Sequence, residues 1–119
     1  MENIQSETHV KKTGIERIAA ERARQIAVEG WTPEHDAKHK GGELADAAAC
    51  YADLAGAQVR GAGVEDLRES YIEGWSGVDW PFEAKWFKPS EYALRNLEKA
   101  GALIAAEIDR LLNQQFGGR

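Results

Sequence analysis

The stretch ERARQIAVEGWTPEHD, residues 21–36, decides how the rest of the chain is organised. It joins the end of an amphipathic helix to a glycine, a tryptophan and a second helix start. Gly30 suits the left-handed conformation that ends many helices. Thr32 followed by Pro33 supplies an N-cap and then the residue favoured at the first helical position. The stretch therefore predicts two helices joined by a tight turn.

The helix before this turn carries a charged residue within its apolar face. At about 100° per residue, Arg22 shares one side of the helix with Ile15, Ile18, Ala19 and Ile26. A guanidinium stays protonated in proteins, so its burial requires acceptor partners. Leaving it unpaired would cost roughly 3–5 kcal/mol. Two hypotheses follow: Arg22 forms a structural ion pair with a glutamate, or it belongs to a polar network that lines a pocket.

Composition limits the class of protein. The 119 residues are enough for one domain with a modest core, and the net charge of −5 argues against a broad surface for nucleic-acid phosphates. The one cysteine, Cys50, excludes a disulfide framework and favours a reducing compartment. No apolar run approaches the roughly 20 residues that span a bilayer, and the start lacks a signal-peptide core. We therefore expect a cytoplasmic protein without a membrane partner or bulk nucleic acid.

The helix signals predict an all-α fold, a small bundle of about four helices. The polar, aperiodic residues 1–12 are predicted to be a flexible segment, and residues 13–116 a single helical domain. Thr13 and Glu16 form a capping box for the first helix, which we expect to end near residue 29. No strand alternation is strong enough to build a sheet.

Two longer helices follow the turn. The third is predicted over residues 42–58, with a buried stripe at Leu44, Ala47, Ala48, Tyr51 and Ala55. Glu43, Asp46 and the neighbouring Cys50 are expected on the solvated side. The last helix should begin at an N-cap, Ser90, and run to about residue 115. Its predicted buried stripe is Leu94, Leu97, Gly101, Ile104, Ala105, Ile108, Leu111 and Leu112.

Leu103 of the last helix points away from the predicted stripe. It suggests a second contact, for example in a homodimer or a higher homo-oligomer. Gly101 and Ala105 of the stripe itself permit a close crossing with another helix.

The segment of residues 59–90 is predicted to be irregular, with one short helix at about 64–72. An aromatic cluster lies in and just after it: Trp75, Trp80, Phe82, Trp86, Phe87 and Tyr92. Leaving this apolar area in water would cost about 25 cal/mol per Å², so the loop should fold over the helices. It either completes a small core or forms an aromatic wall with Lys85 and Lys88, suited to stacking a base and pairing a phosphate.

Metal-ligand spacing occurs once. His35 and His39 are four residues apart and Glu43 continues the interval, as in helical metal sites. The two glycines before Glu43 should break the helical register, so a solvated polar turn is preferred and no metal site is predicted.

Four segments resemble a widespread group of small phage and prophage proteins. They are IAAERARQIAVEGWTPEHD (18–36), GELADAAACYA (42–52), WPFEAKWFKP (80–89) and LEKAGALIAAEIDRL (97–111). The resemblance covers nearly the whole predicted domain. It implies a small accessory protein in the cytoplasm of an infected bacterium, without implying a particular activity.

Two shorter resemblances imply different functions. Residues 43–46, ELAD, are similar to the second acidic motif of the all-α MazG-like nucleotide pyrophosphohydrolases, which hold Mg²⁺ with acids from two helices. The first helix offers Glu16 and Glu21, five residues apart, where that group has acids three apart. Residues 22–36 resemble the repeat domains of ryanodine receptors, which implies a binding module without chemistry.

The leading hypothesis is a non-enzymatic protein that binds a small nucleotide-like ligand, such as a host defence signal, without a cofactor. Arginines would meet a phosphate, tryptophans would stack on a base, and the polar turn would accept hydrogen bonds. The candidate ligand-binding residues are Arg22, Arg24, Trp31, His35, Asp36, Glu43, Trp86 and Lys88. The alternatives are a Mg²⁺-dependent nucleotide hydrolase and an inhibitor that engages a host protein through its tryptophan-rich loop.

Overall fold

A computed structural model describes residues 12–117 of the chain. The predicted flexible segment, apart from Lys12, lies outside these residues. Within them the fold is all-α, as predicted, with helices and no strand. The helices are α1 (Gly14–Ala27), α2 (Pro33–Asp36), α3 (Glu43–Val59), α4 (Val64–Glu73) and α5 (Ala93–Leu112), with a 3₁₀ turn at Ala84–Trp86 and a π-helical turn at Asn113–Gly117.

The predicted helix ends are confirmed around the first turn. The Thr13 hydroxyl accepts from the Glu16 amide, and the Glu16 carboxylate accepts from the Thr13 amide, which completes the capping box. Gly30 has φ 78°, and α1 ends just before it, two residues earlier than predicted. The Thr32 hydroxyl accepts from the His35 amide at 3.1 Å. These local bonds set the path of the chain from α1 into α2.

Helix α5 lies at the centre of the bundle and contacts α1, α2 and α3. The prediction of its buried side is wrong. Leu103, predicted to point away from the core, is only 2% exposed. The leucines and isoleucines of the predicted stripe face outward, and each is 42–55% exposed. Five of them form what we call the outer stripe of α5: Leu94, Leu97, Ile104, Ile108 and Leu111. Leu112 lies beside these five.

Side-chain size explains which side of α5 is buried. Helix α3 buries the small residues Ala47 and Ala48, and α5 meets them in one hydrophobic cluster through its own Ala100 and Ala106. Small side chains let two helix axes approach closely. The buried stripe predicted for α3 is confirmed, but Cys50, expected near solvent, is completely buried. Burial, with nearby carboxylates, raises the pKa of its thiol to about 12.

Helix α1 also departs from its predicted orientation, because Ile15 is 81% exposed while Glu21 and Gln25 are buried. Glu21 forms ion pairs with Arg24 at 2.9 Å and with Arg95 of α5 at 2.7 Å. Burial acts to raise the pKa of Glu21, but the hydrogen bonds from both arginines outweigh it, so the pKa is lowered. Helix α1 therefore docks on α5 largely through paired charges.

The aromatic loop, residues 74–92 between α4 and α5, folds over the helices, as predicted. Trp80 stacks on the buried Phe87 with ring centroids 4.5 Å apart. The Arg68 guanidinium holds the loop by donating to the Phe87 carbonyl. Trp75 and Tyr92, however, are largely exposed, so the prediction that the whole cluster packs inward is wrong for these two. Both adjoin a helix end, Trp75 after α4 and Tyr92 before α5.

Tyr92, and not the predicted Ser90, is the N-cap of α5. The Ser90 hydroxyl accepts from the Tyr92 amide, and the Ser90 amide donates to the Asn96 side chain, so Ser90 closes the turn just before the helix. Within residues 12–117, no helix is both long enough and apolar enough to cross a lipid bilayer.

The close crossing predicted at Gly101 gives a test of the α1–α5 contact. A Cβ added at Gly101 would lie 2.5 Å from Ile18 Cδ1. We expect Gly101→Ala to lower the free energy of unfolding by about 1–2 kcal/mol through overpacking. In an Ile18→Ala background it should instead raise stability by up to about 1 kcal/mol, because alanine favours the helix.

Urea unfolding of the wild type, both single variants and the double variant gives the coupling energy between the two positions. An equal effect of Gly101→Ala in both backgrounds would contradict the close contact.

Candidate functional site

A buried ion pair closes the turn between α1 and α2. The Arg22 guanidinium donates to Asp36 Oδ2 at 3.0 Å and to the Trp31 carbonyl at 3.2 Å. The two side chains are 11% and 3% exposed. Arg22 Nε, also buried, has no acceptor among the described residues. Arg22 thus forms a structural ion pair, but with Asp36 and not with the predicted glutamate, and it holds both Trp31 and Asp36 in place.

Next to this pair is a recess of about 280 Å³, which we call the aromatic recess. This volume is close to the lower end of typical small-molecule sites, which start at about 300 Å³. Its lining comes from helices α2, α3 and α5, from the turn that follows α1 and from the aromatic loop. The lining residues are Glu29, Trp31, His35, Asp36, His39, Leu44, Ala47, Trp80, Phe82, Trp86 and Leu103.

The polar lining of the aromatic recess consists of two carboxylates and two imidazoles. His35 Nδ1 lies 3.5 Å from Asp36 Oδ1, and its ring is 5.1 Å from that of His39. His39 in turn meets Phe82 edge to face at 5.0 Å. The recess is therefore apolar on its aromatic walls and rich in hydrogen-bond acceptors on the side of the turn.

A second, smaller recess adjoins the first and shares Glu29, Trp31 and Trp86 with it. We call it the basic recess, because three cationic side chains line it. Its volume of about 20 Å³ has room for a single water-sized group, such as one hydroxyl. The other lining residues are Glu21, Arg24, Gln25, Tyr51, Lys88 and Lys99.

Two features of the basic recess favour a polar occupant. Gln25 is 1% exposed, and its Oε1 atom accepts no hydrogen bond from the described residues. A buried acceptor without a partner is costly, so a donor at this position would stabilise the site. The second feature is Lys99, which donates to the Lys88 carbonyl. Burial lowers the pKa of Lys99, and the nearby positive charges of Arg95 and Arg24 act in the same direction.

Trp86 forms the wall between the two recesses. It is 43% exposed, and the Nζ atoms of Lys85 and Lys88 lie 5.3 and 5.5 Å from its ring centroid. The backbone beside it is fixed, because the Lys88 amide donates to the Tyr51 hydroxyl at 3.1 Å. A half-exposed indole on a fixed backbone offers a flat face for stacking.

Most of the residues predicted for a ligand site border these two recesses. Trp31, His35, Asp36 and Trp86 line the aromatic recess, and Arg24 and Lys88 line the basic recess together with Trp31 and Trp86.

Arg22 and Glu43, the two other predicted ligand-binding residues, do not line either recess. Arg22 lies behind the turn in its ion pair with Asp36. Glu43 lies at the start of α3, where its carboxylate accepts from the Gly41 amide at 2.7 Å. Hydrogen bonds from the Glu43 and Gly41 amides lower the pKa of Glu43. Arg24 lines the basic recess but is already paired with Glu21 and Glu29.

Several residues that line the recesses were not predicted from the sequence. Trp80 and Phe82 belonged to the predicted aromatic cluster, so a signal for them existed. Glu29, His39 and Lys99 were not selected. Lys99 gave no local signal, since it reaches the basic recess only because α5 packs beside the end of α1.

No group of three or more histidine, cysteine, aspartate or glutamate side chains within residues 12–117 is arranged to hold a metal ion. Comparison of the chain with protein-family models, curated proteins and solved structures finds no match.

The Arg22–Asp36 pair yields a stability prediction. Asp36→Ala leaves a buried guanidinium without its carboxylate, so we expect the free energy of unfolding to fall by about 3–5 kcal/mol. The matched control is Glu83→Ala, which removes a pair with Lys85 whose side chains are 72% and 71% exposed. It should change stability by less than about 0.5 kcal/mol.

Urea denaturation followed by circular dichroism measures both changes. If Asp36→Ala costs no more than Glu83→Ala, the pair does not support the turn.

Proposed function

We propose that the protein binds a small nucleotide-like ligand without transforming it. The base would enter the aromatic recess, and a phosphate would lie at the mouth of the basic recess. The observation that carries this proposal is the adjacency of the two recesses across Trp31 and Trp86. A nucleotide has the same division into a flat aromatic part and an anionic part.

The lining of the aromatic recess supports a base that carries an amino group. Trp86 offers a face on which a base can stack, an interaction worth about 1–3 kcal/mol. Glu29 and Asp36 each pair with an arginine through one carboxylate oxygen, and the other oxygen can accept a further hydrogen bond but cannot donate one when the group is ionised. Adenine, cytosine and guanine present amino donors that match these acceptors, whereas uracil has no amino group.

The cationic side chains support a phosphate beside the base. Arg24 is held by two carboxylates, which leaves Lys88 and Lys99 as the cations better placed to pair with a phosphate. The free Oε1 acceptor of Gln25 suits a hydroxyl donor, such as that of a ribose. Because the basic recess holds only one water-sized group, this hydroxyl would fill it, and the phosphate would lie outside at the mouth, beside Lys88 and Lys99.

The resemblance to small phage proteins gives this binding a biological setting. We propose a phage-encoded accessory protein that acts in the host cytoplasm by sequestering a nucleotide signal, including one used in host defence. Binding without turnover suits such a role, because the ligand must be removed from solution and not converted.

The proposed site predicts which nucleotides bind and which substitutions weaken their affinity. Nucleoside monophosphates and cyclic nucleotides with an amino-bearing base should raise the melting temperature and change tryptophan fluorescence. Uridine nucleotides should bind less tightly. Trp86→Ala should weaken binding by about 10- to 100-fold through lost stacking, and Lys88→Ala by about tenfold through a lost charge-assisted hydrogen bond.

Two residues of the chain provide matched controls. Trp75 is a tryptophan of the same loop that is 75% exposed and lines neither recess. Lys85 lies over the same indole as Lys88 without lining the basic recess. Trp75→Ala and Lys85→Ala should therefore leave affinity within about threefold of the wild type. Equal losses in control and site variants would reject the proposed site.

An activity assay distinguishes nucleotide binding from nucleotide hydrolysis. Incubation with nucleoside triphosphates and Mg²⁺ should release no pyrophosphate. Steady turnover that is lost in Glu43→Ala and Asp46→Ala would instead establish the MazG-like hydrolase.

The exposed Trp75 is the observation that favours the other alternative, an inhibitor of a host protein, because tryptophan is common at binding hot spots. That alternative gains support if no nucleotide in the screen raises the melting temperature.

A further inference from the structure

The outer stripe of α5 is an apolar helix face without a partner among the described residues. Its five members are each 42–55% exposed, although a helix of this composition would normally bury them. The opposite side of the same helix is already occupied by the core, through Ala100, Leu103 and Ala106. The outer stripe is thus additional apolar surface that residues 12–117 leave uncovered.

The spacing of the stripe matches that of a helix that packs against another helix. Positions 94, 97, 101, 104, 108 and 111 follow intervals of three and four residues in alternation, which is the heptad pattern of a coiled-coil seam. Gly101 interrupts the stripe, and Ile18 of α1 lies against it. Helix α1 therefore borders the stripe, and it adds the 81% exposed Ile15 one helical turn from Ile18.

The area of this face is compatible with a stable dimer. The outer stripe and Ile15 together expose on the order of 600 Å², which reaches the upper limit of the largest apolar patch on a typical monomer. Two such faces in contact would bury on the order of 1,200 Å², the lower limit of specific protein interfaces.

The chemistry of the face points to a partner with an equally apolar surface. No member of the stripe is charged. Two neighbouring charges, Arg17 and Glu98, are already paired with each other at 3.1 Å. A second copy of this chain supplies a matching seam, and twofold self-association is the commonest symmetry of soluble oligomers. The net charge of −5 also disfavours an anionic membrane surface.

We propose that a second copy of this chain covers the outer stripe. The two α5 helices pack against each other about a twofold axis, with an α1 helix on each flank. This proposal does not rest on nucleotide binding, because none of the stripe residues lines either recess.

Sedimentation equilibrium and light scattering of the full chain test the proposal. The wild type should have twice the 13.1 kDa mass of one chain at micromolar concentration. Its melting temperature should rise with protein concentration, because association stabilises the folded state. The double substitution Ile104→Glu, Ile108→Glu places charges on the seam and should weaken association by about 100-fold or more.

The control is Val59→Glu, which places a charge on an exposed apolar residue at the end of α3, outside the stripe. It should remain dimeric. Circular dichroism checks that each variant keeps its helix content. A wild type that is monomeric with a concentration-independent melting temperature would overturn the proposal, as would a folded double variant that is still dimeric.

Discussion

The buried pair between Arg22 and Asp36 is the constraint on which the candidate site depends. It spans the turn between α1 and α2, and the same guanidinium also binds the Trp31 carbonyl. Without it, the turn would contain only short helical elements, which have little stability alone. The pair fixes one wall of the aromatic recess, because Trp31 and Asp36 both line it. The charge of Arg22 thus positions the polar turn between α1 and α2 against the aromatic loop.

Local signals in the sequence predicted the helices well. The capping box at Thr13, the glycine stop at Gly30 and the Thr32–Pro33 helix start depend on atoms within a few residues of one another. Their consequences can be derived without knowing the rest of the fold. The structure has these features within two residues of the expected positions.

The orientation of α5 could not be predicted in the same way, because this helix is apolar on two sides. Leucine and isoleucine define one side, and Ala100, Leu103 and Ala106 define the other. Hydrophobic periodicity favours the side with larger residues, but close packing against the alanines of α3 requires the side with smaller ones. The partner helix α3 determines which side of α5 is buried, so the residue pattern of α5 alone does not predict it.

The candidate site shows the same difference between local signals, which the sequence contains, and long-range packing, which it does not. The polar turn and the aromatic loop were recognisable as segments, so Trp31, Asp36 and Trp86 could be proposed from sequence. Glu21 and Gln25 were not, since a glutamate and a glutamine on a helix normally face solvent. Glu21 pairs with Arg95, which lies 74 positions away in the chain, across the α1–α5 contact. Gln25 in turn donates to the buried Glu21 carboxylate.

Helix α1 connects the basic recess with the outer stripe, two surfaces that no described residue fills or covers. One of its sides carries Glu21, Arg24 and Gln25 into the basic recess. Another side places Ile18 against Gly101, beside the outer stripe. Because a helix moves as a rigid body, a contact that restrains α1 at the stripe also restrains the residues that line the recess. Any change in one of these surfaces that shifts α1 must therefore alter the geometry of the other.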